Sequence, residues 1–120
     1  MTDKSMFTCK GVNAMDMKTA VIAIKVKGDK SSIKTTVYQV AQLATECYKS
    51  GIKIVDCAIA YSGGPKSLIR ELKTIDARKR FDYVIVFSPM QVAKDKREFA
   101  EFQQEVESSF KCEVMWLRSG

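Results

Sequence analysis

The side chains of this 120-residue chain that could do chemistry gather in three short stretches. The first, from Lys27 to Ser32, holds Lys27, Lys30, Ser31 and Ser32. The second is Ser62-Gly63-Gly64-Pro65-Lys66-Ser67. The third, from Ser88 to Lys94, holds Gln91 and Lys94. A serine hydroxyl can attack a phosphodiester if it is activated and if cations meet the charge that develops. Lysine supplies such charge as a point, without the two-pronged grip of a guanidinium. The glycine turn, placed before a helix, could hold a phosphate through backbone N–H groups and Lys66. It lacks the spacing of a Walker A motif. The simpler reading of all these serines and glycines is a set of loop and cap residues that solvate the backbone. There is no histidine, so the usual base of a serine hydrolase is missing. Cys9, Cys47, Cys57 and Cys112 form no CxxC pair. They read as reduced, mostly buried thiols, and neither a metal site nor a cofactor is expected.

Alternating strands and helices must position these stretches. Residues 1–18 show no clear period, with Gly11 and Asn13 interrupting any helix, and read as a flexible N-terminal arm; residues 19–120 read as one domain. Thr19 to Lys27 is an apolar, β-branched run, as expected of a strand buried on both faces. Val37, Val40, Leu43, Ala44 and Cys47 recur at helical spacing, which predicts a helix from about Ile33 to Lys49, ended by Ser50-Gly51. Ile52 to Tyr61 is a second strand. Pro65 then opens a helix that buries Leu68, Ile69, Leu72 and Ile75. Phe81 to Phe87 is a third strand, with Ser88 to Gln91 as its exit loop. Asp95 can cap a helix carrying Phe99, Phe102, Val106 and Phe110 on one stripe, and Cys112 to Leu117 is a fourth strand.

This alternation implies βαβ units and an α/β fold of three layers. The expected sheet is four-stranded and mainly parallel, in order 2-1-3-4, with helices on both faces. Val21, Ile22, Ile54, Val84, Ile85 and Val86 should lie at its centre. Ligands of such sheets bind in the crevice at the carboxyl ends of the strands. The candidate crevice is therefore Lys27, Ser31, Ser32, Ser62, Gly63, Lys66, Gln91 and Lys94.

Several landmarks, in order, resemble the N-terminal catalytic domain of serine recombinases, the resolvase/invertase family. They are Ala23-Ile24-Lys25-Val26-Lys27, Gln39 within Tyr38 to Leu43, the passage Tyr48 to Val55, Ala60-Tyr61-Ser62-Gly63-Gly64-Pro65 followed by Leu68 to Ile75, and Phe81-Asp82-Tyr83-Val84-Ile85-Val86. The resemblance spans about Thr19 to Leu117 and implies a resolvase-like fold. It also implies a site at which members of the family attack DNA and form a phosphoserine bond. Carried over residue by residue, the nucleophilic serine falls on Lys27 and the arginine two residues before it on Lys25. The arginine before the proline falls on Gly64. The aspartate of the motif after the third strand falls on Met90, and its arginines fall on Gln91 and Lys94. The resemblance thus implies a shape without its catalytic residues. Family members continue into a long dimerising helix and a DNA-binding domain, which nothing after Leu117 supplies.

The formal charge is +6, unevenly spread. Residues 1–94 carry 16 Lys and Arg against 8 Asp and Glu, whereas residues 95–120 carry 4 against 6. Arg70, Lys73, Arg78, Lys79 and Arg80 form the densest basic group, readable as a solvated helix face or as a nucleic-acid patch. With no recognition helix, any DNA binding should be weak and non-specific, its log–log salt slope roughly −3 to −5 for about 3–5 phosphate contacts. A protein partner is the other reading of the charge. No apolar run approaches the roughly 20 residues that span a bilayer, so a cytoplasmic protein is expected. The function expected is a non-catalytic binding or regulatory module of mobile-element or prophage origin. The alternative is a divergent recombinase or phosphate-ester enzyme using a relocated Ser31, Ser32 or Ser62. Homodimerisation, if it occurs, should use the third long helix or the first 18 residues.

Overall fold

From Ala20 to Ile24 the chain is wholly apolar and rich in β-branched residues, and a strand of that kind must find cover on both faces. In the computed structural model, which describes residues 17–26, 30–61 and 64–118, this segment is β1 (Lys18–Lys25), with Ala20 to Ile24 fully buried. It is followed by α1 (Lys30–Lys49), β2 (Ile52–Ala60), α2 (Pro65–Asp76), β3 (Tyr83–Val86), the short α3 (Pro89–Val92), α4 (Lys96–Phe110) and β4 (Glu113–Trp116).

The sheet order is β2-β1-β3-β4, and every pairing is parallel. The chain steps from β1 outward to β2, then back across β1 to β3. Crossovers of one hand therefore put α1 on one face and α2 on the other. Side chains alternate accordingly. Val21, Ala23, Val84, Val86 and Val114 pack with α2 and α4, around Leu68, Leu72, Phe102 and Val106. Ala20, Ile22, Ile24, Ile85 and Met115 face α1, where Leu43 and Cys47 meet them. Phe99 stands edge-on to Trp116 at 5.5 Å, so Trp116 is a packing residue.

Local chemistry sets the element ends. Pro65 opens α2 at a position that needs no N–H donor. The Asp95 carboxylate accepts from the Glu98 N–H, and Glu98 accepts from the Lys94 N–H, a reciprocal cap on α4. Lys111 ends α4 in the left-handed region at φ 53°.

Several details differ from the sequence-based expectation. Helix α1 begins at Lys30 rather than Ile33, so Ser31 and Ser32 belong to its first turn and not to a loop. Val37 is exposed, because it stands at the rim of the helical stripe whose centre, Leu43 and Cys47, turns onto the sheet. Ile54 is half-buried rather than central, since β2 is an edge strand. Cys57 is exposed for the same reason, while Cys47 and Cys112 are buried as expected. Pro89, fixed near helical φ, starts a one-turn helix anchored by buried Val92 where an open loop was expected. Of the expected arm, residues 1–16 lie outside the described residues and Lys18 opens β1. Among the described residues no helix is long and apolar enough to cross a membrane.

Phe102, 2% exposed, joins α4 to α2 and the sheet. Phe102→Ala should lower the unfolding free energy by about 3–5 kcal/mol. Val37→Ala should change it by less than about 0.5 kcal/mol. Urea denaturation of both variants checks the contrast; equal costs would contradict this assignment of the core.

Candidate anion-binding crevice

At the carboxyl ends of the strands, α1 and α3 meet through one polar contact. Gln91 Nε2 of α3 donates a hydrogen bond to Gln39 Oε1 of α1. The amide oxygen of Gln91, Oε1, is buried and has no partner among the described residues. The contact ties α1 to α3. Gln39 turns toward β3, and Tyr38, Gln42 and Glu46 line a groove against Leu117 and Arg118 at the end of β4. What occupies this end of the crevice is thus a pair of neutral dipoles joined by one hydrogen bond, with one buried acceptor lacking a donor.

Three cations stand at the same end by topology. Lys25 is the last residue of β1, where Ala60 of β2 pairs with it. Lys66 lies exposed in the first turn of α2, whose amino end carries the positive end of its helix dipole. Lys94 follows α3, exposed, with Asp95 and Glu98 beside it in the cap of α4, which weakens its local field. Gly64 precedes α2 with extended backbone, and a side chain built there would meet open space. An arginine would fit at that position without strain. Lys27, Ser62 and Gly63 lie outside the described residues, as do the side chains of Ser31 and Ser32.

The densest basic group is elsewhere. Arg70 and Lys73 are exposed on the outer face of α2, but Arg78, Lys79 and Arg80 follow its carboxyl end, near the amino end of β3. There they are paired. Arg78 and Lys79 reach Asp56 at 3.8 and 3.5 Å, and Lys79 also donates to the Val55 carbonyl at 3.2 Å. Arg80 meets Asp76 at 3.4 Å and donates to the Phe110 carbonyl. The five residues therefore do not form one free patch: the last three staple α2 to β2 and to the end of α4. Sequence reasoning gave Asp56 no role, because it sits inside an apolar run. It did not join Gln39 to Gln91 either, since 52 residues separate them.

The thiols are quiet. Burial, reinforced by neighbouring carboxylates, pushes Cys47 and Cys112 up to about 12, and burial raises the exposed-edge Cys57 as well. At neutral pH none of these three is a thiolate nucleophile, and Cys9 lies outside the described residues.

No protein-family model and no curated protein matches the chain. Solved structures do. The C-terminal catalytic domain of ISC1926 TnpA, an IS607-like serine recombinase, superposes with a TM-score of 0.66 at 19% identity, over 84% of this chain and 71% of that one. The chain has the serine-recombinase catalytic fold. The N-terminal catalytic domain of TP901-1 integrase gives a TM-score of 0.62 at 18% identity, over 83% of this chain and 77% of that one. The sheet order 2-1-3-4 expected from the sequence is the order found. On this serine-recombinase fold, Lys25, Gln39, Lys66, Gln91 and Lys94 share the carboxyl end of the sheet, and Arg78 to Arg80 lie at its other end.

Asp56 provides a pH test of the staple. The Cys57 N–H, bonded to its carboxylate at 2.7 Å, together with Lys79 and Arg78, holds the Asp56 carboxyl below its ordinary 3.8. A carboxyl lowered by folding contributes stability above its unfolded value, and that contribution is lost as pH falls through the folded value. The melting temperature of the wild type should therefore exceed that of Asp56→Asn at pH 7, and the gap should close below about pH 4. A gap that is constant between pH 7 and pH 3 would show that the ion pairs contribute nothing.

Proposed function

We propose that this domain binds the phosphate backbone of DNA weakly at the carboxyl-end crevice and does not cut it. The observation that carries this reading is the Gln39–Gln91 amide pair. Strand cleavage through a phosphoserine needs a hydroxyl nucleophile and several guanidinium groups around the pentavalent phosphorus, each stabilising charge as it develops. In the residue-by-residue correspondence, Gln91 takes one arginine position and is tied to a neutral partner. Lys25 and Lys94 take two others as lysines, and Gly64 leaves the fourth empty. Lys27 takes the place of the serine. Lysines suffice to attract a polyanion, since attraction needs only charge, but they do not supply the paired donors of a transition-state clamp.

On this reading the module is regulatory or architectural, occupying DNA or a protein bound to DNA without reacting. Origin in a mobile element or prophage belongs to the same reading and is supported by the fold alone.

Incubation with supercoiled plasmid, followed by denaturing electrophoresis and a search for protein–DNA adducts, tests the absence of chemistry. Neither nicked DNA nor an adduct should form. Nicking that disappears in Ser31→Ala, Ser32→Ala or Ser62→Ala would contradict the proposal and establish a relocated nucleophile.

A further inference from the structure

The groove between α1 and the end of β4 lies outside the crevice but adjoins it. Tyr38, Gln42 and Glu46 form its α1 wall, and Leu117 and Arg118 form the other. Tyr38 immediately precedes Gln39, which holds Gln91 of α3. The Arg118 N–H bonds the Phe87 carbonyl at 2.8 Å, which fixes the backbone of Arg118 beside the exit of β3. The groove therefore begins next to the Gln39–Gln91 pair.

Its charge is positive. Arg118 is exposed and has no acidic partner among the described residues. The same holds for Lys34, which stands one turn before Tyr38 on α1. The carboxylate in the wall, Glu46, faces the Lys49 ammonium at 3.8 Å and is offset by it. The groove also offers an aromatic ring to solvent. Tyr38 is 64% exposed, while Leu43 and Cys47 supply the packing of α1 on the sheet. The half-buried amide of Gln42 has no side-chain partner among the described residues and can both donate and accept. Cations for phosphates beside an aromatic platform for a base are the means by which proteins hold single-stranded nucleic acid. The volume is about 310 Å³, the low end of ligand sites, which suits one nucleotide and not a helix. An extended peptide is poorly served here, because the Glu107 carboxylate already takes the Val114 N–H on the edge of β4 at 2.9 Å.

We propose that this groove takes one unpaired nucleotide of DNA, its base against the Tyr38 ring and its phosphates on Arg118 and Lys34. The inference rests on the reading of the crevice as a site for DNA phosphates, and it names the form of DNA preferred. In a duplex the faces of the bases are covered by stacking, so only a single strand, an end or a flipped base can reach Tyr38. Every base has such a face, and the Gln42 amide can meet either a donor or an acceptor, so the preference is for unpaired DNA and not for one sequence.

Fluorescence anisotropy of the full chain at low salt tests this with three labelled probes: a single strand of about ten nucleotides, an abasic strand of the same length, and the duplex of the first. The strand should bind about tenfold more tightly than either of the others. Tyr38→Ala should abolish that preference and Tyr38→Phe should retain it. Tyr48→Ala, which removes a ring 87% exposed near the other end of α1, should change nothing. Arg118→Gln should weaken both single strands alike and lower the salt slope by about one. All these side chains are exposed, and circular dichroism establishes that each variant is folded. Equal affinity for strand and duplex overturns the proposal and leaves the crevice reading standing. Failure of every probe to bind overturns both. A preference for the strand that survives Tyr38→Ala places the base elsewhere and overturns the proposal as well.

Discussion

Burial of β1 on both faces is the constraint on which the rest of this structure depends. Five consecutive residues, Ala20 to Ile24, have no polar side chain and no exposed side. Such a strand is stable only with a neighbour on each edge and a helical layer above and below. That requirement sends β2 to one side and β3 to the other, and it places α1 opposite α2 and α4. Because the strands are parallel, their carboxyl ends are collected at one edge of the sheet, and Lys25, Lys66, Gln91 and Lys94, from three separate stretches of sequence, all lie at that edge.

Two electrostatic arrangements then divide the work. At the amino ends, Asp56 and Asp76 absorb Arg78, Lys79 and Arg80, and the charge there serves to fasten α2 against β2. At the carboxyl ends the three lysines have room, and the centre between α1 and α3 is an amide pair rather than an ion pair. An amide holds position without committing charge. On the reading proposed above, such a crevice attracts anions diffusely, and its neutral centre suits a binding surface better than a transition-state clamp.

The fold was legible because its signals are local. β-branched runs and the 3.6-residue stripe of Leu68, Leu72 and Ile75 each read correctly without tertiary information, and the expected strand order 2-1-3-4 is the order found. What failed did so where tertiary context decided. Val37 fits the helical period of Val40, Leu43 and Cys47, yet it stands at the rim of that stripe and is left in water. Ile54 sits in an apolar run, yet an edge strand covers it on one side only. The one-turn helix α3 is too short for any period to register. Within the candidate site, Lys66, Gln91 and Lys94 could be named from the loops that carry them. Their electrostatic setting could not: the partners of Arg78 to Arg80 lie on other elements, and Gln39 and Gln91 lie on different helices, 52 positions apart in sequence.

Backbone amide resonances followed during titration with two short DNA duplexes of unrelated sequence test the central claim most directly. At low salt both duplexes should shift the residues around Lys25, Lys66, Gln91 and Lys94 alike and leave Arg78 to Arg80 in place. The shifts should fade as salt rises, with a log–log slope near −3 if about three lysines meet phosphates. Shifts centred on Arg78 to Arg80, a clear preference for one duplex, or no shift at low salt would contradict the account.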